Sequence, residues 1–303
     1  MQLRYDDVEV SVPATSANLG PGFDCLGLAL ELRDLVRVRA TTGTTEVRVT
    51  GEGAGTVPTG EDHLVVRALR IGLEFAGAPQ VGVQLTCRNA IPHGRGLGSS
   101  AAAVVAGLMA ARALVDNDDA LSLSSVLHLA TEMEGHPDNA APAIFGGVRV
   151  AWMQDGAAHC LPLPAMPNLR ATVVVPASEL STSRARHLLP ESVPYEDAVH
   201  NVARVAMFTQ ALLHPELLLT ATEDRLHQPY RSEVLGESMA VLETLRSRGL
   251  PAVISGAGPT VLVFGEIDQV TTAALRAQRW RVWGLDIATH GANARPTTLH
   301  GHA

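Results

Sequence analysis

Three glycine-rich stretches carry the residues best suited to chemistry. The run 92–102, PHGRGLGSSAA, sets three glycines and two serines ahead of an alanine-rich segment, AAAVVAGLMAARALV. Glycine lets backbone N–H groups approach a ligand closely, and the first turn of a helix leaves such groups without partners. The helix dipole adds roughly half a positive charge at that end, so the stretch outlines an anion site to which a phosphate is well matched. Ser99 and Ser100 add a hydroxyl for Mg²⁺, a hard cation that prefers oxygen.

The second stretch, VPATSANLGPGFDCLGLAL at 12–30, gathers Asn18, Gly20, Gly22 and Asp24 in a turn-rich segment. An ordinary Asx-turn loop uses the same residues, whereas a carboxylate beside exposed backbone can hold a ligand ammonium. The third, SGAGPTVLVF at 255–264, fits a tight β-turn before a strand. Three such loops in a chain without a dinucleotide fingerprint are expected to converge on one cleft.

All 23 basic residues are arginine. The absence of lysine excludes a Walker-type lysine, a protein-kinase ATP lysine and a Schiff base. If ATP binds here, backbone amides, arginine and a metal must hold it. A formal charge of −8 with no basic run argues against nucleic acid as a partner.

The elements that must position these loops follow from periodicity. Strands are expected at 8–12, 29–40, 45–50 and 81–85, with a helix at 62–76 capped by Asp62. Ser99 or Ser100 should cap the alanine-rich helix, and a helix at 122–134 should stop at Gly135. A strand at 145–153 precedes a proline-rich linker at 161–169. Beyond it come a strand at 170–175, helices near 196–213, 216–223 and 232–248, and a strand, glycine turn and strand over 252–264. The terminal run 290–303 reads as frayed. A length of 303 residues, 46% of them hydrophobic and 18% charged, suits a folded protein of two domains. Cys25, Cys87 and Cys160 have no ligand spacing and are expected as free thiols. The acidic N-terminus and the lack of a membrane-length apolar run point to a cytoplasmic protein without a membrane partner.

PATSANLGPGFDCLG, PHGRGLGSSAA, EGHPDNAAPAIFGG and SGAGPT, in that order across residues 12–260, resemble the successive signatures of the homoserine kinases, within the GHMP small-molecule kinase superfamily. The resemblance implies an α+β fold with an N-terminal ATP-binding domain over 1–160, a C-terminal ferredoxin-like domain over 161–303, and the active cleft between them. It implies ATP-dependent phosphorylation of the L-homoserine hydroxyl on the way to threonine, with Mg²⁺, in a homodimer. The alternatives are a mevalonate-type or shikimate-type kinase, whose carboxylate substrate has no ammonium, and a non-catalytic ligand sensor on the same fold.

By that resemblance Pro92, His93, Gly94, Arg95, Gly96, Leu97, Gly98, Ser99, Ser100, Ala101 and Ala102 wrap the ATP phosphates, with Gly256 and Gly258 in support. Ser100, with Ser99 as alternative, and Glu134, with Glu132 as alternative, hold Mg²⁺. Asp24 takes the substrate ammonium, Asn18 and Asn139 lie beside the substrate, and Arg186 and Arg231 grip its carboxylate. Thr182 is expected near the substrate hydroxyl. His136 is expected beside the substrate as a hydrogen-bonded histidine, and Asp138 as an orienting group. Ser100, Glu134, Asp138, Asn139 and Arg186 form the expected catalytic set. His290, His300 and His302 lack ligand spacing, so no metal site is expected on them.

Overall fold

Alternation near the N-terminus produces the central strand pair. The structure, a computed structural model, describes residues 2–297. It begins with β1 (Asp7–Ala17), β2 (Leu26–Thr41) and β3 (Glu46–Gly51), then α1 (Leu64–Phe75), β4 (Gly82–Asn89), α2 (Ser99–Val115), α3 (Leu123–Glu134), α4 (Pro137–Phe145) and the hairpin β5 (Val148–Gln154) to β6 (Ala157–Leu163). It continues through β7 (Arg170–Val175), α5 (Thr182–Arg186), α6 (Tyr195–Ala211), α7 (Leu218–Ala221), α8 (Gly236–Ser247), β8 (Ala252–Ile254), β9 (Val261–Phe264), α9 (Gln269–Ala277), β10 (Arg281–Asp286) and β11 (Asn293–Pro296).

A seven-stranded sheet runs β11-β1-β2-β4-β3, with the β5–β6 hairpin attached to the start of β2. Val8, Val10 and Val12 point to one face and are fully buried there, as the period of two requires. Most of α2 is buried, because its small apolar residues surround the whole helix. A second, four-stranded sheet runs β10-β7-β9-β8. One face of it, with Val173, Leu262 and Phe264, continues the core of the first sheet. The other, with Val174, Val261 and Val263, packs on Leu242, Leu245 and Trp280.

Several details differ from the sequence reading. His63, not Asp62, caps α1, its Nδ1 accepting from the Val65 N–H at 3.3 Å. Neither Ser99 nor Ser100 caps α2: left-handed Gly98 stands at that position and both serines lie inside the first turn. α4 occupies 137–145, so the strand expected from Phe145 begins at Val148. α5, α9 and β10 also lay outside the reading. The proposed division at 160 falls inside β6, and β11 rejoins the first sheet. The expected fraying is therefore wrong for 293–296, which pair with β1 and cover an edge whose N–H and C=O groups would otherwise be unpaired. His290 precedes that strand, and its backbone carbonyl accepts from the Arg33 guanidinium at 2.6 Å; His300 and His302 lie outside the described residues. The three cysteines are free thiols, and among the described residues no helix is long and apolar enough to cross a membrane.

Candidate active site

The chain leaving β4 turns into α2 through Gly94, Gly96 and Gly98, all left-handed at φ +63°, +72° and +70°. At two of them space is as restrictive as backbone angle. A Cβ on Gly96 would lie 2.3 Å from the Ser255 carbonyl oxygen, and one on Gly98 would lie 1.9 Å from Thr15 Oγ1. The loop is clamped from several sides. Thr15 N–H donates to Leu97 O at 3.1 Å, and the Ser255 hydroxyl donates to Gly96 O at 2.6 Å while lying 2.8 Å from Ser16 Oγ. Arg95 donates to the carbonyls of His93, Pro176 and Ala177 and pairs with Glu179 at 3.2 Å. Its guanidinium thus ties the loop to the segment after β7.

The start of α2 opens on a cavity of about 340 Å³. Of the expected residues this cavity brings together Asn18, Asp24, Gly94, Arg95, Gly96, Gly98, Ser99, Ser100, Ala101, Glu134, His136, Asp138, Asn139, Thr182, Arg186, Arg231 and Gly256. Pro92, His93, Leu97, Ala102 and Gly258 do not line it. Leu97 is buried in the core, and Gly258 packs against Leu235, leaving no room for a side chain.

At one end, Ser100 Oγ donates to Glu134 Oε1 at 2.7 Å. Burial pushes the Glu134 carboxyl above its ordinary value, and the Ser100 hydrogen bond opposes this only in part. Glu132 lies instead on the exposed side of α3, 3.5 Å from His128. At the other end, Arg186 grips Asp24 through two nitrogens at 2.6 and 3.0 Å. Burial works against the Arg186 charge, but Asp24 outweighs it and the net shift is upward. Asn18 braces the same loop, donating to Gly256 O at 2.8 Å and accepting from the Asp24 N–H at 3.0 Å. Asn18, Leu19 and Asp24 all have left-handed φ, so this carboxylate is presented from a costly backbone held by contacts across the chain.

Between the two ends, His136 Nδ1 meets Asp138 Oδ1 at 2.5 Å. Burial lowers the His136 pKa, yet Asp138 overcomes it and the net shift is upward. Asn139 Oδ1 accepts from Thr15 Oγ1 at 2.8 Å. Asp24, His136 and Asp138 present ligand atoms within 4.8 Å of one another. The cluster is already internally paired, Asp24 to Arg186 and Asp138 to His136, which suits a charged organic ligand better than a metal.

A family model described as the GHMP kinases N terminal domain matches residues 63–147. The chain is 48% identical over 296 residues to a homoserine kinase of Streptomyces avermitilis, covering 97% of each chain. It is 51% identical over 297 residues to a homoserine kinase of Clavibacter michiganensis, covering 95% of this chain and 94% of that one. The chain belongs to the homoserine kinase family. The crystal structure of homoserine kinase from Cytophaga hutchinsonii superposes with a TM-score of 0.83 at 28% identity, over 97% of this chain and 99% of that one. The α+β GHMP kinase fold expected from the motifs is the fold of this homoserine kinase family member.

Two parts of this site had no signature in the sequence. Phe23 lies between the two arginines, its ring centroid 5.6 Å from the Arg186 guanidinium carbon and 5.5 Å from that of Arg231. A second cavity of about 380 Å³ lies on the other side of Ser99 and Ser100. Val36, Val57, Pro58, Leu64 and Cys87 give it an apolar lining, and Asp34, Asp62, His63, Asn89 and His93 give it polar groups. Its residues come from β2, the 57–63 loop, α1, β4 and the start of α2, with the expected His93 and Ala102 among them, so no one local pattern could reveal it. Asp34 also anchors the start of the glycine loop, accepting from the N–H groups of Ala90 and Ile91 at 2.7 and 2.9 Å.

Proposed function

We propose that this chain transfers the γ-phosphoryl group of ATP to the side-chain hydroxyl of L-homoserine, giving O-phospho-L-homoserine and ADP. The observation that carries the substrate choice is the paired Asp24 and Arg186. A zwitterionic amino acid exchanges that one ion pair for two, with its ammonium on Asp24 and its carboxylate on Arg186 and Arg231. A simple hydroxylated carboxylate would take Arg186 and leave Asp24 without a cation, at the cost of an uncompensated, partly buried charge. This disfavours mevalonate and shikimate.

The nucleotide half belongs to the unit drawn chiefly from residues 1–160. Its phosphates lie along Gly94 to Ala101, against main-chain N–H groups and the start of α2. The second cavity, adjoining at Ser99 and Ser100, takes the base and ribose, its apolar lining suiting a planar heterocycle. The unit over 161–303 contributes Thr182, Arg186, Arg231 and Gly256 to the amino-acid half. Ser100 and Glu134 fit Mg²⁺: both are oxygen donors, they face one another, and no arginine pairs with this buried carboxylate among the described residues. Bound there, Mg²⁺ would neutralise charge on the β- and γ-phosphates.

The transferred group passes through a loose transition state, so alignment and charge stabilisation count for more than a strong base. Asn139, held by Thr15, and His136, held by Asp138, face the space between the two substrates, and Thr182 stands near the hydroxyl. An ADP-release assay across homoserine, serine, threonine, mevalonate and shikimate tests the reading. Homoserine should have the highest kcat/KM, and serine should retain some turnover because one methylene is worth only about 1–3 kcal/mol. Faster turnover of mevalonate or shikimate would reject it.

A further inference from the structure

His227 is fully buried, sits four residues before Arg231, and does not line the cavity. Its two ring nitrogens face partners of opposite kind. Nε2 lies 2.7 Å from the carbonyl oxygen of Gly20, which can only accept. Nδ1 lies 3.1 Å from Nη1 of Arg231, which can only donate. The ring therefore carries its proton on Nε2 and offers Nδ1 as an acceptor, a tautomer fixed by its neighbours. Burial, against the pull of Asp224, holds the His227 pKa below its ordinary value, in keeping with a neutral ring.

The mount beneath this ring is rigid. Asp224, itself buried, accepts from the N–H groups of Leu226, His227 and Gln228 at 2.9, 3.1 and 2.7 Å. Phe23 stacks on the imidazole at 5.2 Å between centroids. Arg231 is only 1% exposed; its Nε donates to Ala185 O at 3.2 Å, and Nη1 faces His227 at 3.1 Å and, at a longer 3.4 Å, the carbonyl oxygen of Gly256. Among the described residues Nη2 has no hydrogen-bond partner, which leaves it for a ligand in the cavity that Arg231 lines.

We propose that His227 is a positioning residue for the amino-acid substrate: by accepting from Nη1 it fixes the Arg231 guanidinium and so sets affinity for the substrate carboxylate. It touches neither substrate nor ATP. The inference rests on the homoserine reading above.

Steady-state kinetics and melting curves on the intact chain test it, comparing wild type with His227→Ala, His227→Phe, His227→Gln, Arg231→Ala and the His227→Ala/Arg231→Ala double variant. His227→Ala should raise the homoserine KM about tenfold or more and leave the ATP KM within about twofold. His227→Phe keeps the packing on Phe23 and removes both ring nitrogens, so it reports the same loss if the alanine variant fails to fold. His227→Gln, whose amide can accept from Arg231 and donate to Gly20, should recover most of the affinity. In the Arg231→Ala background, the alanine change should add less than about twofold, because it acts through that arginine. An unchanged homoserine KM, an equal rise in both KM values, or fully additive effects would overturn the proposal. A wild type that does not phosphorylate homoserine removes the functional reading and this inference with it. An active wild type with unmoved variants overturns this inference alone.

Discussion

The two ends of the cavity are built from different material. At the proposed phosphate end the groups offered are main-chain N–H donors, held by glycine geometry and by contacts from Thr15 and Ser255. At the amino-acid end they are charged side chains, Asp24, Arg186 and Arg231, brought from three distant parts of the chain. The first end is sensitive to a single added carbon and, beyond Ser100 and Glu134, makes little use of side-chain chemistry. The second depends on charge and on the long-range contacts that aim it.

The largest expected effect probes the first end. Gly96→Ala forces a Cβ toward the Ser255 carbonyl, and displacement of the loop should lower kcat/KM for ATP by about 100-fold or more. Wild-type kinetics in that variant would break the claim that backbone builds this end. Next comes the charged end. Asp24→Ala should raise the homoserine KM by about 30-fold, with the ATP KM nearly unchanged. A comparable rise in both constants would mean that the two ends are not separable. Ser100→Ala should lower kcat by about tenfold, with partial recovery at higher Mg²⁺, because only one of two oxygen donors is lost. Metal titration of the variant against wild type checks it.

The smallest kinetic effect is expected at an ion pair far from the cavity. The Arg37 hydrogen bond, with help from Thr297 and Arg39 and against burial, holds the Asp7 carboxyl down at about 2, from an ordinary 3.8. Because the folded pKa is depressed, the stabilisation is present above about pH 4 and is lost as pH falls through 2. Asp7→Asn should cost about 2 kcal/mol in urea unfolding at pH 7, with the gap to wild type closing toward pH 2 and with kcat and both KM values unchanged. A kinetic defect in that variant would show that scaffold charge, too, reaches the site.

The same contrast explains what could be read from the sequence. The glycine loop is local: the glycines, the serine pair and the helix behind them fall within one short run, so its geometry, and the anion site proposed for it, could be read from the residues alone. Asp24 stood out only as one of two readings of a turn-rich loop, and Arg186 and Arg231 came only through resemblance to a family, since an isolated arginine has no spacing to mark it. α4 escaped because Pro137 and Pro142 read as breakers, although proline is tolerated in the first turn and Pro142 lies near the helix end. The tail at 293–296 looked frayed because polar, proline-containing composition says nothing of a strand edge awaiting it nearly 290 residues earlier in the chain. His227 carried no local sign either, since its role is defined by Gly20 and Arg231 together.

The Ser255 hydroxyl on Gly96 and the reach of Arg95 to Pro176 and Ala177 stitch the four-stranded layer to the very turn proposed to cradle phosphate. Swinging the layer aside like a jaw would have to break these hydrogen bonds to the turn. These contacts couple the glycine turn to that layer, so a displacement of either is passed to the other.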